Sequence, residues 1–350
     1  ILKLRNNHKI QLFVGPHHFE KKFGHTYKEI LKEKISLFYK CFAKVNYNNV
    51  DINKFLKDSI FKYKNQLIKS NPDLVLILGD RYEVLSFVLA SFFLNLKICH
   101  LHGGEVTHGS FDDTIRHMIS KMSDYHFVTN KIYKKRLVSM GENPKNIFNF
   151  GSLGALNIKR TKVVSKSIIY KKYSIPSNCK LVLITFHPET NSKIQFKKQI
   201  NIFLESLKNN KKFFFLFTGC NADPYGNYFS IKIKNFVFKN KKLLFIKNLG
   251  GLDYFSLIKC SEFVLGNSSS GIYEVPIMNR VTVNIGSRQS GRLMPNSVVN
   301  CELNSLKIKK TLENFSFYKK KKFNNLFYKK DTLNKISNKI KKIMYLEKKI

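Results

Sequence analysis

The sequence predicts an α/β protein built from two doubly wound parallel sheets, and three observations carry that prediction. Short apolar runs alternate with longer stretches of helical periodicity along the chain, the order that yields parallel strands with helices on both faces. The runs are apolar at successive positions rather than at every second one, as strands covered on two sides require. At 350 residues the chain exceeds one compact core and fits two domains of about 150 residues each.

In chain order the expected strands are IQLFVG (10–15), LVLILG (74–79), KICHLH (97–102), YHFVT (125–129) and IFNFG (147–151) in the first half. The second half offers LVLITF (181–186), FFFLFTG (213–219), LLFI (243–246), FVLG (263–266) and VTVNI (281–285). The intervening chain turns polar and basic after IFNFG, so the expected domains are residues 1–155 and 156–305, followed by an amphipathic helical tail over 306–350. Ligands of such sheets bind beyond the carboxyl ends of the strands, so polar residues just after each run are the candidate site.

Composition narrows the function classes. The 62 Lys+Arg against 23 Asp+Glu give a formal charge of +39, which by itself suggests a polyanion partner. The excess is almost all Lys, spread over the whole length and accompanied by abundant Asn, Ile, Phe and Tyr, so it reads as solvated helix faces, with no specific nucleic-acid partner expected. The densest basic patch is the KKKK run at 319–322. Six cysteines lie far apart with no CxxC pair, which argues against structural zinc and a disulfide framework and suits a reducing, cytoplasmic compartment. The longest apolar stretch, from Val84, is broken by Asn95 and Lys97; it reads as a buried helix running into a strand, and no membrane partner is expected.

Three polar clusters follow strand ends. LGDRYEVL places Asp80, Arg81 and Glu83 at the tip of strand 74–79, where Asp80 could equally be a helix N-cap. HLHGGEVTHGSFDDTIRH (100–117) holds four histidines, Glu105, Asp112, Asp113 and Arg116 around three glycines. His100 and His102 alternate on a strand and so share a face, but the HExxH spacing of a zinc helix is absent and Arg116 would repel a divalent cation. The glycine pair instead turns the chain so that Glu105 and the two aspartates converge, with Asp112 or Asp113 capping the next helix and Arg116 one turn later. Such a crowd of charges shifts pKa values in the way proton transfer needs. The third cluster, LGNSSSGIYEVP (265–276), puts Asn267, Ser268 and Ser269 before a helix opened by Gly271, an arrangement suited to a diphosphate, with Glu274 one turn on. NIGSRQSGR (284–292) adds Arg288, Gln289 and Arg292, and TFHPET (185–190) adds His187.

In order and spacing these segments, with GENPKNIFNFGSLGALNI, resemble the UDP-N-acetylglucosamine 2-epimerases, in particular their hydrolysing, NeuC-like branch. The resemblance covers roughly residues 10–305. It implies two Rossmann-like domains in a GT-B arrangement with an interdomain cleft, a UDP-sugar substrate, a homodimer, and no NAD or metal. By position it implies diphosphate binding at Ser268 and Ser269 and ribose binding at Glu274, with Arg288 and Gln289 close by. Asp80, Glu105, Asp112, Arg116 and His187 would then line the sugar side. Some relatives carry a proton-transferring Glu at the position of His102, so that work falls here to Glu105, to Asp112 or to the imidazole itself. The implied product is an N-acetylmannosamine-type sugar for sialic or legionaminic acid synthesis, formed through a 2-acetamidoglucal. A GT-B glycosyltransferase, a basic nucleic-acid binder and an inactive remnant are the alternatives.

Relatives also begin with a strand and a Gly-Thr-Arg loop, whereas this chain starts near the end of the helix that follows. The resemblance therefore implies a fragment at the N-terminus, poorly stable and weakly active.

Overall fold

The computed structural model describes residues 3–21, 25–32, 37–40, 42–43, 51–108, 111–190, 192–220, 225–240, 242–318 and 323–347. Cys41 and the 319–322 basic run lie outside them. The chain divides into two compact units. Unit 1 comprises the chain to Glu105, Asp112–Leu153 and the chain from Lys329; unit 2 comprises Val106–Phe111 and Gly154–Tyr328.

Unit 1 is built on a parallel sheet of β3 (Val75–Leu78), β4 (Ile98–Leu101), β5 (Tyr125–Val128) and β6 (Ile147–Asn149), paired in sequence order. A separate two-stranded parallel sheet joins β1 (Gln11–Phe13) to β2 (Leu37–Tyr39), the latter too short and too embedded in charged residues to stand out in the sequence. Helices α2 (Ile52–Ser70) and α3 (Tyr82–Phe93) share one core: Phe13 of β1 packs its ring, tilted, against Tyr63 of α2 and Phe87 of α3. Helix α3 opens the apolar stretch that leads into β4, the helix-into-strand arrangement expected of it. Among the described residues no helix is long and apolar enough to cross a membrane.

The expectation that strands are covered on both faces holds for β4, buried throughout, but not for β3, whose burial alternates. Val75 and Ile77 are buried while Leu76 and Leu78 are 38 % and 65 % exposed. The 306–350 region is not one tail. Helices α12 (Ser305–Glu313) and α13 (Phe315–Tyr318) stay with unit 2, whereas α14 (Thr332–Glu347) belongs to unit 1. The cause is its stripe of Ile336, Ile340 and Ile343, spaced to one helix face, which packs on Cys99, Leu101 and Phe127 of β4 and β5. Each isoleucine buried there contributes about 1.5–3 kcal/mol. Thr332 Oγ1 donates to Phe150 O at 2.6 Å and pins the helix start.

Unit 2 holds a six-stranded parallel sheet in the order β12-β11-β10-β7-β8-β9, where β7 is Leu181–Thr185, β8 Phe214–Thr218, β9 Leu243–Ile246, β10 Phe263–Gly266, β11 Val281–Ile285 and β12 Val298–Cys301. The five expected runs all form strands; β12 is an additional edge strand whose VVNC sequence lacks a long apolar run. Phe186, Phe203, Phe229, Phe263 and Phe315 fill the core on one face, and Leu181, Leu183, Leu216, Val264 and Leu257 that on the other. Strand order reverses between β7 and β10. That junction is the topological switch point, where the loops at the carboxyl ends part and leave room for a ligand.

Two histidines inside unit 1 give a measurable pH signature. His100 and His126 face each other in register on β4 and β5, both buried. Burial, helped by His126, pushes His100 down to about 3, and burial lowers His126 against the opposing pull of Glu142. The unfolded chain protonates both near 6.5, so below that pH it binds more protons than the fold does. Stability is therefore expected to fall as pH drops from about 6.5 toward 3, each histidine steepening the slope by up to about 1.4 kcal/mol per pH unit. Urea unfolding at pH 7.5, 6 and 5 checks this; a midpoint independent of pH would contradict it.

Candidate active site

The acid cluster of unit 1 forms around one buried guanidinium. Asp80 follows β3, and Arg116 sits one turn into α4 (Asp112–Lys121). Arg116 Nε donates to Asp80 Oδ2 at 3.0 Å and its Nη2 meets the same oxygen. Its Nη1 donates to Asp113 Oδ1 at 3.1 Å and to the Glu105 carbonyl at 3.0 Å. Arg116 is 2 % exposed while Asp80 keeps 31 % of its side chain accessible. The planar fork thus fixes two carboxylates and one loop carbonyl at once, which a point charge could not do. Asp80 is not an N-cap: Arg81 occupies that position of α3 without a side-chain cap bond. Asp112 and Asp113 both lie in the first turn of α4, with Asp113 directed to Arg116.

A second pair lies beside it. Strand β4 ends at Leu101, and His102 adopts a left-handed backbone (φ 67°), so it does not share a strand face with His100 as the alternation predicts. His100 points into the core, where its Nδ1 lies 3.1 Å from Ser120 Oγ of α4. His102 turns to Glu105 instead, its Nδ1 3.0 Å from Glu105 Oε1. The same oxygen accepts from Thr129 Oγ1 at 2.9 Å, and Glu105 is only 3 % exposed. Gly104 makes this turn possible: its φ is +74°, and a Cβ there would fall 2.7 Å from the Tyr133 carbonyl.

With Nδ1–H donated to a carboxylate, the neutral imidazole carries its acceptor lone pair on Nε2. This is the orientation logic of a histidine acid/base, with Glu105 as the orienting group. Thr129, immediately after β5, was not among the residues singled out in the sequence. Its strand-end position was the only available signal.

In unit 2 the predicted residues gather at the switch point. Asn267, wholly buried, holds the backbone of His187 from both sides, its Oδ1 accepting from His187 N at 2.7 Å and its Nδ2 donating to His187 O at 2.8 Å. The Asn267 carbonyl in turn accepts from Gln289 Nε2 at 2.8 Å and from Arg288 Nη1 at 3.4 Å. The loops after β7, β10 and β11 are thereby tied together.

Ser268 and Ser269 are half-buried and lead into a single helical turn, α11 (Ser270–Tyr273), with Glu274 at its end. Gly271 lies inside that turn rather than opening it. A Cβ would meet Thr282 Cγ2 at 2.5 Å, and Thr282 Oγ1 donates to the Gly271 carbonyl, so this glycine sets the closeness of the turn to β11.

Two residues of this constellation, Glu189 and Tyr254, were not singled out beforehand. Glu189, 2 % exposed, accepts from Ser287 N at 3.0 Å and Ser287 Oγ at 2.8 Å, which anchors the loop carrying Arg288 and Gln289. Tyr254 donates to Ser270 Oγ at 2.8 Å, and its hydroxyl is pushed up to about 12 by burial and by the Glu274 carboxylate. Arg292 Nη1 meets the Tyr273 hydroxyl at 3.0 Å. Glu189 lay within the quoted TFHPET; Tyr254, on α10 (Gly250–Cys260), had no sequence signal at all.

The model of a family described as UDP-N-acetylglucosamine 2-epimerase matches residues 2–341. The GDP/UDP-N,N'-diacetylbacillosamine 2-epimerase (hydrolyzing) of Campylobacter jejuni is 38 % identical over 303 residues, covering 85 % of this chain and 78 % of that protein. The UDP-N,N'-diacetylbacillosamine 2-epimerase (hydrolyzing) of Legionella pneumophila is 31 % identical over 302 residues, 84 % of this chain and 78 % of that one. Among solved structures, the UDP-GlcNAc 2-epimerase of Neisseria meningitidis bound to UDP-GlcNAc superposes with a TM-score of 0.82 at 17 % identity, covering 98 % of this chain and 95 % of that one.

Proposed function

We propose, from the premise that this chain belongs to the UDP-N-acetylglucosamine 2-epimerase family, that it is a hydrolysing 2-epimerase acting on a UDP-2-acetamido sugar. UDP-N,N'-diacetylbacillosamine is the first candidate, because the Campylobacter and Legionella relatives are named for it. The observation that carries the mechanism is the His102–Glu105 pair packed beside the Asp80–Arg116–Asp113 cluster.

The chemistry divides between the two constellations. Holding the diphosphate falls to Ser268, Ser269 and Arg288, and the ribose to Glu274. As the C1–O bond to UDP breaks, C1 becomes oxocarbenium-like and the proton on C2 becomes acidic. His102 Nε2 removes that proton, Glu105 stabilising the imidazolium that forms, and the electron pair closes the C1–C2 double bond of a 2-acetamidoglucal. Water then adds its oxygen to C1, and a proton returns to C2 from the opposite face. The products are UDP and the free sugar inverted at C2. Every step is a proton transfer or a C–O bond change, so no redox cofactor is called for.

Incubation in deuterium oxide with UDP-N,N'-diacetylbacillosamine and, in parallel, UDP-N-acetylglucosamine tests this. The expected result is UDP release with one deuterium at C2 of a manno-configured product. UDP release without deuterium at C2 would mean simple hydrolysis or glycosyl transfer and would overturn the proposal.

A further inference from the structure

His100 lies outside the chemistry just described, yet it sits beneath it. Its ring is 1 % exposed, in register with Ile77 of β3 on one side and His126 of β5 on the other. Its Nδ1 is 3.1 Å from Ser120 Oγ, and that hydroxyl also lies 3.0 Å from the carbonyl of Arg116, one helical turn earlier. Its strand partner Ile77 lies three residues before Asp80 on the same strand-to-loop segment. Asp80 and Arg116 are themselves joined. The path Asp80–Arg116–Ser120–His100 therefore links the end of β3, the body of α4 and the middle of β4, and the pairing of His100 with Ile77 leads back to β3.

An ordinary core residue has no reason to make these bonds. A leucine at 100 would fill the space, but it would leave the buried Ser120 with only its own helix to bond. The guanidinium serves three acceptors from one rigid plane, and it does so only if α4 is held in rotation and depth relative to β3. Since Ser120 follows Arg116 by four residues, it lies on the same face of the helix. Fixing Ser120 from the sheet side fixes Arg116. The groups facing the ring are His126 from β5, Asp80 from the end of β3 and Arg116 from α4; burial keeps the imidazole neutral among them.

We infer that His100 is a positioning residue: through Ser120 it sets the helix that presents Arg116 to Asp80, Asp113 and the Glu105 loop. It touches no substrate. The kinetic consequence rests on the activity proposed above, whereas the structural one does not.

The test compares His100→Ala, His100→Asn and Ser120→Ala in the full chain, with two readouts. The first is kcat and KM for UDP release from UDP-N,N'-diacetylbacillosamine, together with the affinity for UDP alone. The second is hydrogen exchange at Arg116 Nε–H, followed by NMR on arginine-labelled protein. His100→Ala is expected to lower kcat by about 100-fold, the order of effect of a misplacement of about 1 Å, with UDP affinity unchanged and Arg116 Nε–H exchanging faster. Asn can offer Ser120 a hydrogen-bond partner near the position of Nδ1, so His100→Asn is expected to recover most of both. Ser120→Ala removes a single oxygen and should reproduce the loss even if His100→Ala folds poorly.

Unchanged Arg116 exchange in the folded variants overturns the inference, and so does faster exchange with unaltered kcat. If the parent protein releases no UDP from either sugar while His100→Ala still speeds Arg116 exchange, the proposed activity fails and the positioning role stands.

Discussion

Replacing Arg116 by Met is expected to abolish detectable turnover and to destabilise unit 1 by about 3–5 kcal/mol, the cost of breaking a buried ion pair by removing one partner. The guanidinium holds Asp80, Asp113 and the Glu105 carbonyl together while remaining 2 % exposed. Without it two carboxylates face each other across an apolar side chain, and the loop that carries His102 loses an anchor. Arg116→Lys is expected to regain some stability and little activity, because one ammonium cannot reproduce the three directions of the fork. Thermal unfolding and kcat report the two effects, and UDP affinity should persist in both variants because the serine turn belongs to the other unit. A Met variant that turns over within tenfold of the parent would remove Arg116 from the mechanism.

The other large effect is at His102. His102→Gln keeps a hydrogen-bonding side chain beside Glu105 but offers no base, and it is expected to slow deuterium incorporation at C2 by about 10²–10⁴-fold, the range of a general base. His102→Glu supplies a carboxylate of similar reach and is expected to restore part of the rate with an altered pH profile. Should His102→Gln exchange C2 at the parent rate, the proton must be removed by another group, and Asp112, in the first turn of α4, becomes the leading candidate. The two substitutions are best combined with Glu105→Gln in a double-mutant cycle. Residues acting as a unit are strongly non-additive, so a near-zero further loss in the double variant would mark His102 and Glu105 as one device.

Much of the site could be read in the sequence because strand ends are written locally. A run such as FVLG followed by NSSSG announces both a strand and the polar turn after it, and each of the three clusters does fall at a strand end. What escaped was of a different kind. Thr129 and Tyr254 matter because of what they touch, namely Glu105 and Ser270, and nothing in their own surroundings marks that contact. The N-cap suggested for Asp80 was the plausible local option, and a partner 36 residues away displaced it. The shared face expected for His100 and His102 failed for a similar reason, since the strand stops one residue before His102 and the backbone turns left-handed there.

The sequence by itself determined the α/β class, where most of the strands lie along the chain, and the family, because periodicity, turn residues and motif spacing each act over a few residues. Tertiary structure decided which carboxylate meets Arg116, that Glu105 orients His102, and that α14 returns to the first unit. Those outcomes depend on strand register and on how helices seat against a sheet, and register and seating are sums of many small contacts that no short stretch of chain contains.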